Sequence, residues 1–178
     1  MTIRKAIIED LPALTAIYNQ AIKARQTADT IPVTTADRKA WFDSHQIEQY
    51  PLFVAIDEDA ILGYATLSQY RGGRAALSKV VEISYYIHQD HQRKGLGTLL
   101  LDYAMKAAQN LGFQHAFALL LDTNLPSVKL LEKFGFIQWG HFPNIAEIDG
   151  EICGQFYYGK HLVQLAVSQS AVCSRARN

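Results

Sequence analysis

Apolar side chains recur along this chain at two spacings, and the switches between them delimit its elements. Thr2 to Ile7 alternates well enough for an opening strand. Leu11, Leu14, Ile17, Tyr18, Ala21 and Ile22 then repeat at helical spacing, behind Asp10 as an N-cap, with Pro12 in the first turn where its missing N–H does no harm. Arg25 to Thr35, rich in threonine and carrying Pro32, reads as a loop, and Ala36 to Gln46 as a short helix bearing Trp41 and Phe42. Leu52 to Ile56 and Ile61 to Ser68 flank the acidic turn Asp57-Glu58-Asp59 as a hairpin.

Arg71-Gly72-Gly73-Arg74 is a turn that leads into the apolar strand Val80 to Ile87. Leu96, Leu99, Leu100, Tyr103, Ala107 and Leu111 give a long helix one apolar stripe, and Gly112 ends it. His115 to Leu121 is almost wholly apolar, as a strand covered on both faces should be. Asn124 caps a further helix that Gly135 ends, and Phe136 to Phe142 and Ile152 to Leu165 are the last strands. The pattern predicts an α/β (α+β) fold, with a mixed sheet of about seven strands and about four helices around it. Residues 1–165 form the predicted domain, and residues 166–178, mostly small and polar, a C-terminal tail.

The junction Gln92-Arg93-Lys94-Gly95-Leu96-Gly97 carries the chemistry. A strand that feeds a helix through a glycine-rich turn leaves backbone N–H groups unpaired at the positive end of the helix dipole, which is an anion site. Gly95 and Gly97 let a phosphate approach the backbone. A dinucleotide fingerprint would need a third glycine at position 100, which is Leu100, and the Gly-Lys-Ser/Thr of a Walker loop is absent. A tight turn with no ligand is the alternative for the loop taken by itself.

Composition narrows the classes. At 178 residues the chain is one domain with room for a sizeable core. Lys+Arg and Asp+Glu both count 17, so the basic excess of a nucleic-acid binder is missing. No apolar run reaches the length of a membrane span and no signal peptide opens the chain, so the expected location is cytoplasmic. Cys153 and Cys173 make neither a disulfide framework nor a metal motif, and Cys153 reads as a packing residue. His88 and His91 are spaced like a ligand pair but have no third partner, so no metal site is expected.

The Gln-x-x-Gly-x-Gly spacing resembles the acetyl-coenzyme A loop of the GNAT superfamily of N-acetyltransferases. Asn124-Leu125-Pro126-Ser127 and Glu132-Lys133-Phe134-Gly135-Phe136 are similar to that superfamily's second motif block, in the right order. The resemblance runs from Ile3 to about Leu162, and is nearest to the phosphinothricin-type and amino-acid N-acetyltransferases, through Tyr18-Asn19, Val81-Glu82, His91-Gln92 and Pro126-Ser127-Val128. It implies the GNAT fold, acetyl-CoA as cosubstrate, a small-molecule amine as acceptor, direct attack without an acyl-enzyme, and a possible homodimer. It also implies cofactor contacts from Gln92, Arg93, Lys94, Gly95, Leu96, Gly97 and Thr98. Tyr85, Tyr86 and Ile87 would hold the pantetheine arm through their backbone, with Asn124 and Ser127 from the next helix.

Acetyl transfer to an amine needs a neutral nucleophile, a polarised carbonyl and a stabilised leaving thiolate. Glu82 is the only acid in the strand Val80 to Ile87, and the resemblance puts the general base there. The residues alone leave it either in a pocket or on a solvated sheet face. Tyr85 and Tyr86 fall on opposite faces, so one of them is expected only to pack. Asn124 reads as a cap and a cofactor contact together, Ser127 as either a solvated first-turn residue or a contact through water, and Arg93 and Lys94 also read as ordinary solvated side chains. The pattern breaks at Leu131, where many members of the superfamily it resembles carry the tyrosine assigned to protonating the thiolate; either water, Ser127 or a strand tyrosine takes that role, or the thiolate leaves unassisted. Leu77 and Gly150-Glu151-Ile152-Cys153-Gly154 also depart from phosphinothricin-type relatives, both on the acceptor side. An acyl-CoA-binding module without transferase activity and a peptide or protein N-acetyltransferase are the alternative functions.

Overall fold

The computed structural model describes residues 1–45 and 48–162. Its strands are β1 Thr2–Lys5, β2 Leu52–Asp57, β3 Ala60–Gln69, β4 Val80–Ile87, β5 His115–Leu121, β6 Ile137–Ile148 and β7 Glu151–His161. Its helices are α1 Leu11–Lys23, α2 Lys39–Ser44, α3 Leu96–Asn110 and α4 Leu125–Lys133. The strands form one sheet in the order β1-β2-β3-β4-β5-β7-β6. Each neighbouring pair is antiparallel except β4 and β5, which are parallel because α3 crosses over between them.

The sheet is covered on both faces. Leu100, Leu101, Ala104 and Ala108 of α3 pack on Val81, Ile83, Ala65, Leu67, Ala116 and Ala118. Leu14 and Ile17 of α1 and Phe42 of α2 pack on Leu52, Val54 and Tyr64 from the other side. Each fully buried leucine of this kind contributes about 1.5–3 kcal/mol. Strict alternation along β4 therefore sends Val81 and Ile83 toward α3 and leaves Glu82, Ser84 and Tyr86 for the α1–α2 face.

Several expectations are corrected. Asp10 stands at the N-cap of α1, but its side chain makes no cap bond. Its carboxylate takes both ends of Arg4 (2.7 and 2.9 Å) and the N–H of Ile7 (2.8 Å), tying β1 to the start of α1. Burial pushes this carboxyl's pKa up, but Arg4 and the Ile7 amide outweigh that and hold it below its usual value. The buried face of α3 is Leu96, Leu100, Leu101, Ala104, Met105 and Ala108, while Leu99, Tyr103 and Leu111 are partly exposed. The run Leu99-Leu100-Leu101 is apolar right across the helix, so period alone misplaced the stripe. α2 is shorter than Ala36 to Gln46, and Gln46 lies outside the described residues. β6 runs on through Pro143 to Ile148, past a register shift between Phe142 and Ala146 with Asn144 at φ +55°. An edge strand tolerates Pro143 at such a bulge because its N–H side needs no partner. β7 ends at His161, and the tail 166–178, Cys173 and the end of the predicted last strand lie outside the described residues.

Candidate active site

β4 keeps its pairing with β3 along its length, from Gln69↔Val81 to Gly63↔Ile87. Its pairing with β5 stops after Val80↔His115, Val81↔Ala116 and Glu82↔Phe117. From Ile83 onward one edge of β4 faces a gap in the sheet. A cavity of about 50 Å³ occupies that gap, between Ile83, Ser84 and Tyr85 on one side and Ala118, Leu119 and Leu120 on the other. It adjoins a cleft of about 380 Å³ at the start of α3 and α4, with Tyr85, Tyr86, Asn124 and Ser127 lining both.

The mouth of the cleft is the bend after His91. Arg93 has φ +61° and Gly95 φ +82°, a left-handed turn that swings the chain from β4 into α3. The first helical hydrogen bond runs from Leu99 N–H to Gly95 O at 3.1 Å, so the amides of Leu96, Gly97 and Thr98 precede the ladder and are open to a ligand. The two glycines serve different needs. Gly95 supplies the positive φ, whereas a Cβ on Gly97 would meet Leu130 Cδ2 of α4 at 3.1 Å. An anion at this bend meets main-chain donors and a helix N-terminus together.

Tyr85, Tyr86, Ile87, Gln92, Arg93, Gly95, Leu96, Gly97, Thr98, Asn124 and Ser127 all line the cleft. Lys94 does not; its ammonium donates to Asp90 O at 2.8 Å. Gln92 bridges back to Ile87 O at 3.5 Å. Asn124 is a helix cap, its Oδ1 accepting from Ser127 N–H at 3.3 Å while Nδ2 donates to Gln26 O at 3.4 Å. The Tyr85 hydroxyl is buried beside Ser127 with no hydrogen-bond partner of good geometry, and burial raises its pKa. Leu131 is fully buried at the gap and presents no hydroxyl there. The fit to a long, phosphate-headed acyl carrier is good: a main-chain anion cradle at one end, a narrow slot at the other, and an open strand edge between.

On the opposite face of β4 lies a second cavity of about 290 Å³, lined by Glu82, Ser84 and Tyr86 of the strand and by Tyr18, Asp29, Arg38 and Trp41. Tyr86 lines both this cavity and the cleft, and Ser84 and Tyr86 also border the gap, so all three lie against the same stretch of β4. Glu82 is half-buried, not on a solvated sheet face. Burial pushes its carboxyl pKa up, and the Ser84 hydroxyl works the other way. Tyr18 and Tyr86 meet edge to face at 5.1 Å, and burial drives the Tyr86 phenol well above its ordinary pKa, so it stays neutral. Tyr85 and Tyr86 do face opposite sides, yet both reach a cavity.

Sequence reasoning missed Arg38, Asp29 and Trp41 in this second wall. They sit far from β4 in the chain and form no spaced motif; the only local signal was the pair of aromatics in the short helix. Cys153 is buried on β7, where burial, then Asp122 and Glu151, raise its thiol pKa, so it stays protonated and inert. Among the described residues no group of three potential ligands converges on a metal position, and no helix is long and apolar enough to cross a membrane.

Comparison with known proteins matches residues 15–136 to the model of the "Acetyltransferase (GNAT) family". The chain is 45% identical over 152 residues to a Bacillus subtilis protein named "Putative phosphinothricin acetyltransferase YwnH", covering 85% of this chain and 93% of that one. It is 35% identical over 149 residues to the L-methionine sulfoximine/L-methionine sulfone acetyltransferase of Pseudomonas paraeruginosa, with 82% and 86% covered. A solved GNAT superfamily phosphinothricin acetyltransferase from Sinorhizobium meliloti, in complex with acetyl-CoA, superposes with a TM-score of 0.85 at 28% identity, covering 90% of this chain and 87% of that one. With an anion cradle, a split sheet and a half-buried strand carboxylate already in place, these matches settle the family: the chain belongs to the GNAT acetyltransferases.

Proposed function

We propose that this protein is an acetyl-CoA-dependent N-acetyltransferase whose acceptor is the amine of a small polar molecule, an amino acid or an analogue of one. The observation that carries the reading is the gap beside β4, bordered by an anion-binding cleft and, through Ser84 and Tyr86, by the cavity that Glu82 lines. The relatives named for phosphinothricin and for L-methionine sulfoximine and L-methionine sulfone support an amino-acid-like acceptor.

When bound, acetyl-CoA supplies an activated acetyl thioester. Backbone amides of Leu96, Gly97 and Thr98 hold its diphosphate, and the open edge of β4 from Ile83 to Ile87 pairs with its pantetheine arm. Asn124 and Ser127 border that arm from α4. Glu82 removes the proton from the acceptor ammonium, directly or through one water. An alkyl ammonium has a pKa near ~10, so a positioned base raises the fraction of competent nucleophile near neutral pH. The raised pKa of Glu82 suits it to the task, because a stronger base is a better proton acceptor.

Residues 1–165 act as one domain in this reading. A cytoplasmic location fits a multiply charged donor that does not cross membranes. A homodimer is supported by the apolar surface of β6 and β7, where Ile137, Trp139, Phe142, Ile145 and Ile152 are exposed along the sheet edge. The test is free-thiol release over a panel of amines with acetyl-CoA as donor. Turnover with α-amino acids or their analogues is expected. Tight acetyl-CoA binding with no thiol release from any amine would leave an acyl-CoA-binding module instead.

A further inference from the structure

The cavity that contains Glu82 has a charged wall that acetyl transfer itself does not require. Arg38, at the N-cap of α2, is only 7% exposed. Its guanidinium carbon stands 3.7 Å from the centre of the Trp41 ring and 4.1 Å from that of Tyr18. Both aromatic faces are thus spent on stacking, which fixes the plane of the guanidinium and leaves its edge for hydrogen bonds. Nε is buried and makes no hydrogen bond of good geometry, the buried Tyr64 hydroxyl lies against the guanidinium, and none of the ion pairs among the described residues includes Arg38.

The acids nearby are engaged elsewhere. Asp29 accepts the Tyr18 hydroxyl at 2.5 Å, and Asp37 accepts the N–H and hydroxyl of Thr34 at 2.8 and 2.7 Å. Glu82 lines the same cavity without pairing with Arg38. A buried guanidinium without an anion is costly to maintain. One whose plane is fixed in advance is a good receptor for a carboxylate, which it grips through two parallel N–H···O bonds.

We propose that Arg38 docks the α-carboxylate of the acceptor, so that the enzyme selects α-amino acids over amines that lack the carboxylate. The two charged walls match a zwitterion: Glu82 faces the ammonium and Arg38 the carboxylate, each neutralised only when the acceptor is seated. The inference rests on the acetyltransferase reading above and adds the chemistry of the acceptor's second group. Arg38 touches substrate in this scheme but takes no part in bond making.

The experiment compares thiol release by the purified full chain with L-methionine sulfone and with its α-carboxamide, for the unaltered enzyme and for Arg38→Gln and Arg38→Lys. The unaltered enzyme is expected to favour the acid in kcat/KM by about 10- to 100-fold, the range for one charged hydrogen-bonded contact. Arg38→Gln raises KM for the acid more than it lowers kcat and brings the acid-to-amide ratio close to one. Arg38→Lys restores part of the ratio, since it keeps the charge and loses the fork. Equal use of acid and amide by the unaltered enzyme would overturn the proposal even if the variants fail to fold, as would a ratio that survives in a folded Arg38→Gln. In either case the acetyltransferase reading stands. Absence of thiol release from every amine would instead remove that reading.

Discussion

Replacing Glu82 by Gln keeps the volume of the side chain and removes its charge, and the surroundings of β4 give this change two opposite effects. Glu82 is half-buried, and burial raises its pKa despite the opposing Ser84 hydroxyl. A carboxyl raised in the folded state binds its proton more tightly folded than unfolded. As pH climbs from the unfolded pKa through the folded one, the native state is progressively penalised, and above it the whole penalty stands. Glutamine carries no such penalty. Glu82→Gln should therefore melt higher than the unaltered protein at neutral pH, with the difference closing below about pH 4, where the carboxyl is protonated in both states. Activity moves the other way. Loss of a positioned base costs about 10²- to 10⁴-fold, or about 3 to 5 kcal/mol of barrier. In the unaltered enzyme kcat/KM should rise with pH along an acid limb lying above the ordinary carboxylate range, and Glu82→Gln should lack that limb. Thermal melts from about pH 3 to 8 and thiol-release kinetics over the upper part of that range read both effects. A variant with full turnover and an unchanged acid limb would remove Glu82 from the base role. A variant less stable than its parent at neutral pH would contradict the burial argument.

Gly97→Val puts side-chain carbon where Leu130 Cδ2 already stands 3.1 Å from the Cβ position; it should cost about 1–3 kcal/mol of stability and weaken acetyl-CoA binding in calorimetry by forcing α4 away from α3. Asp10→Asn should destabilise the fold by about 1–3 kcal/mol at neutral pH, since the partner Arg4 is itself partly solvated and screened. The Asp10 carboxyl is held below its usual pKa, so its contribution is present above the unfolded pKa and is lost as pH falls through the folded one; the melting gap to the variant should shrink there. Tyr85→Phe removes a buried hydroxyl that makes no hydrogen bond of good geometry and only lies beside Ser127, so the melting temperature should change little. The same change should lower kcat by about tenfold or more, because Leu131 leaves Tyr85 as a hydroxyl at the gap able to protonate the departing thiolate.

The proposed donor cleft was legible because it is built from contiguous residues whose backbone shapes it. The Gly-x-Gly turn, the limits of β4 and the Asn124 cap all follow from local pattern, and of the residues singled out for the cofactor only Lys94 turns away from the cleft. The acceptor half was not, because Tyr18, Arg38 and Trp41 come from α1, the start of α2 and α2, and meet Glu82 only after the sheet is packed. The errors in the fold have the same physical origin. Leu99 looked like core because its neighbours on the opposite face of α3 are also leucines, and the strand expected over Phe136 to Phe142 runs on to Ile148 because its place at the sheet edge, which tolerates Pro143, is a tertiary fact. Asp10 looked like a cap because its ion pair with Arg4 depends on where β1 lies.

The most direct measurement is a crystal structure of the chain with acetyl-CoA bound. The expected result has the diphosphate on the amides of Leu96 to Thr98, the pantetheine arm along β4 beyond Glu82, and the thioester at the gap, facing the cavity that holds Glu82 and Arg38. A donor seated elsewhere, or a gap that stays shut by Tyr85 and Leu131 while the diphosphate is bound, would contradict it.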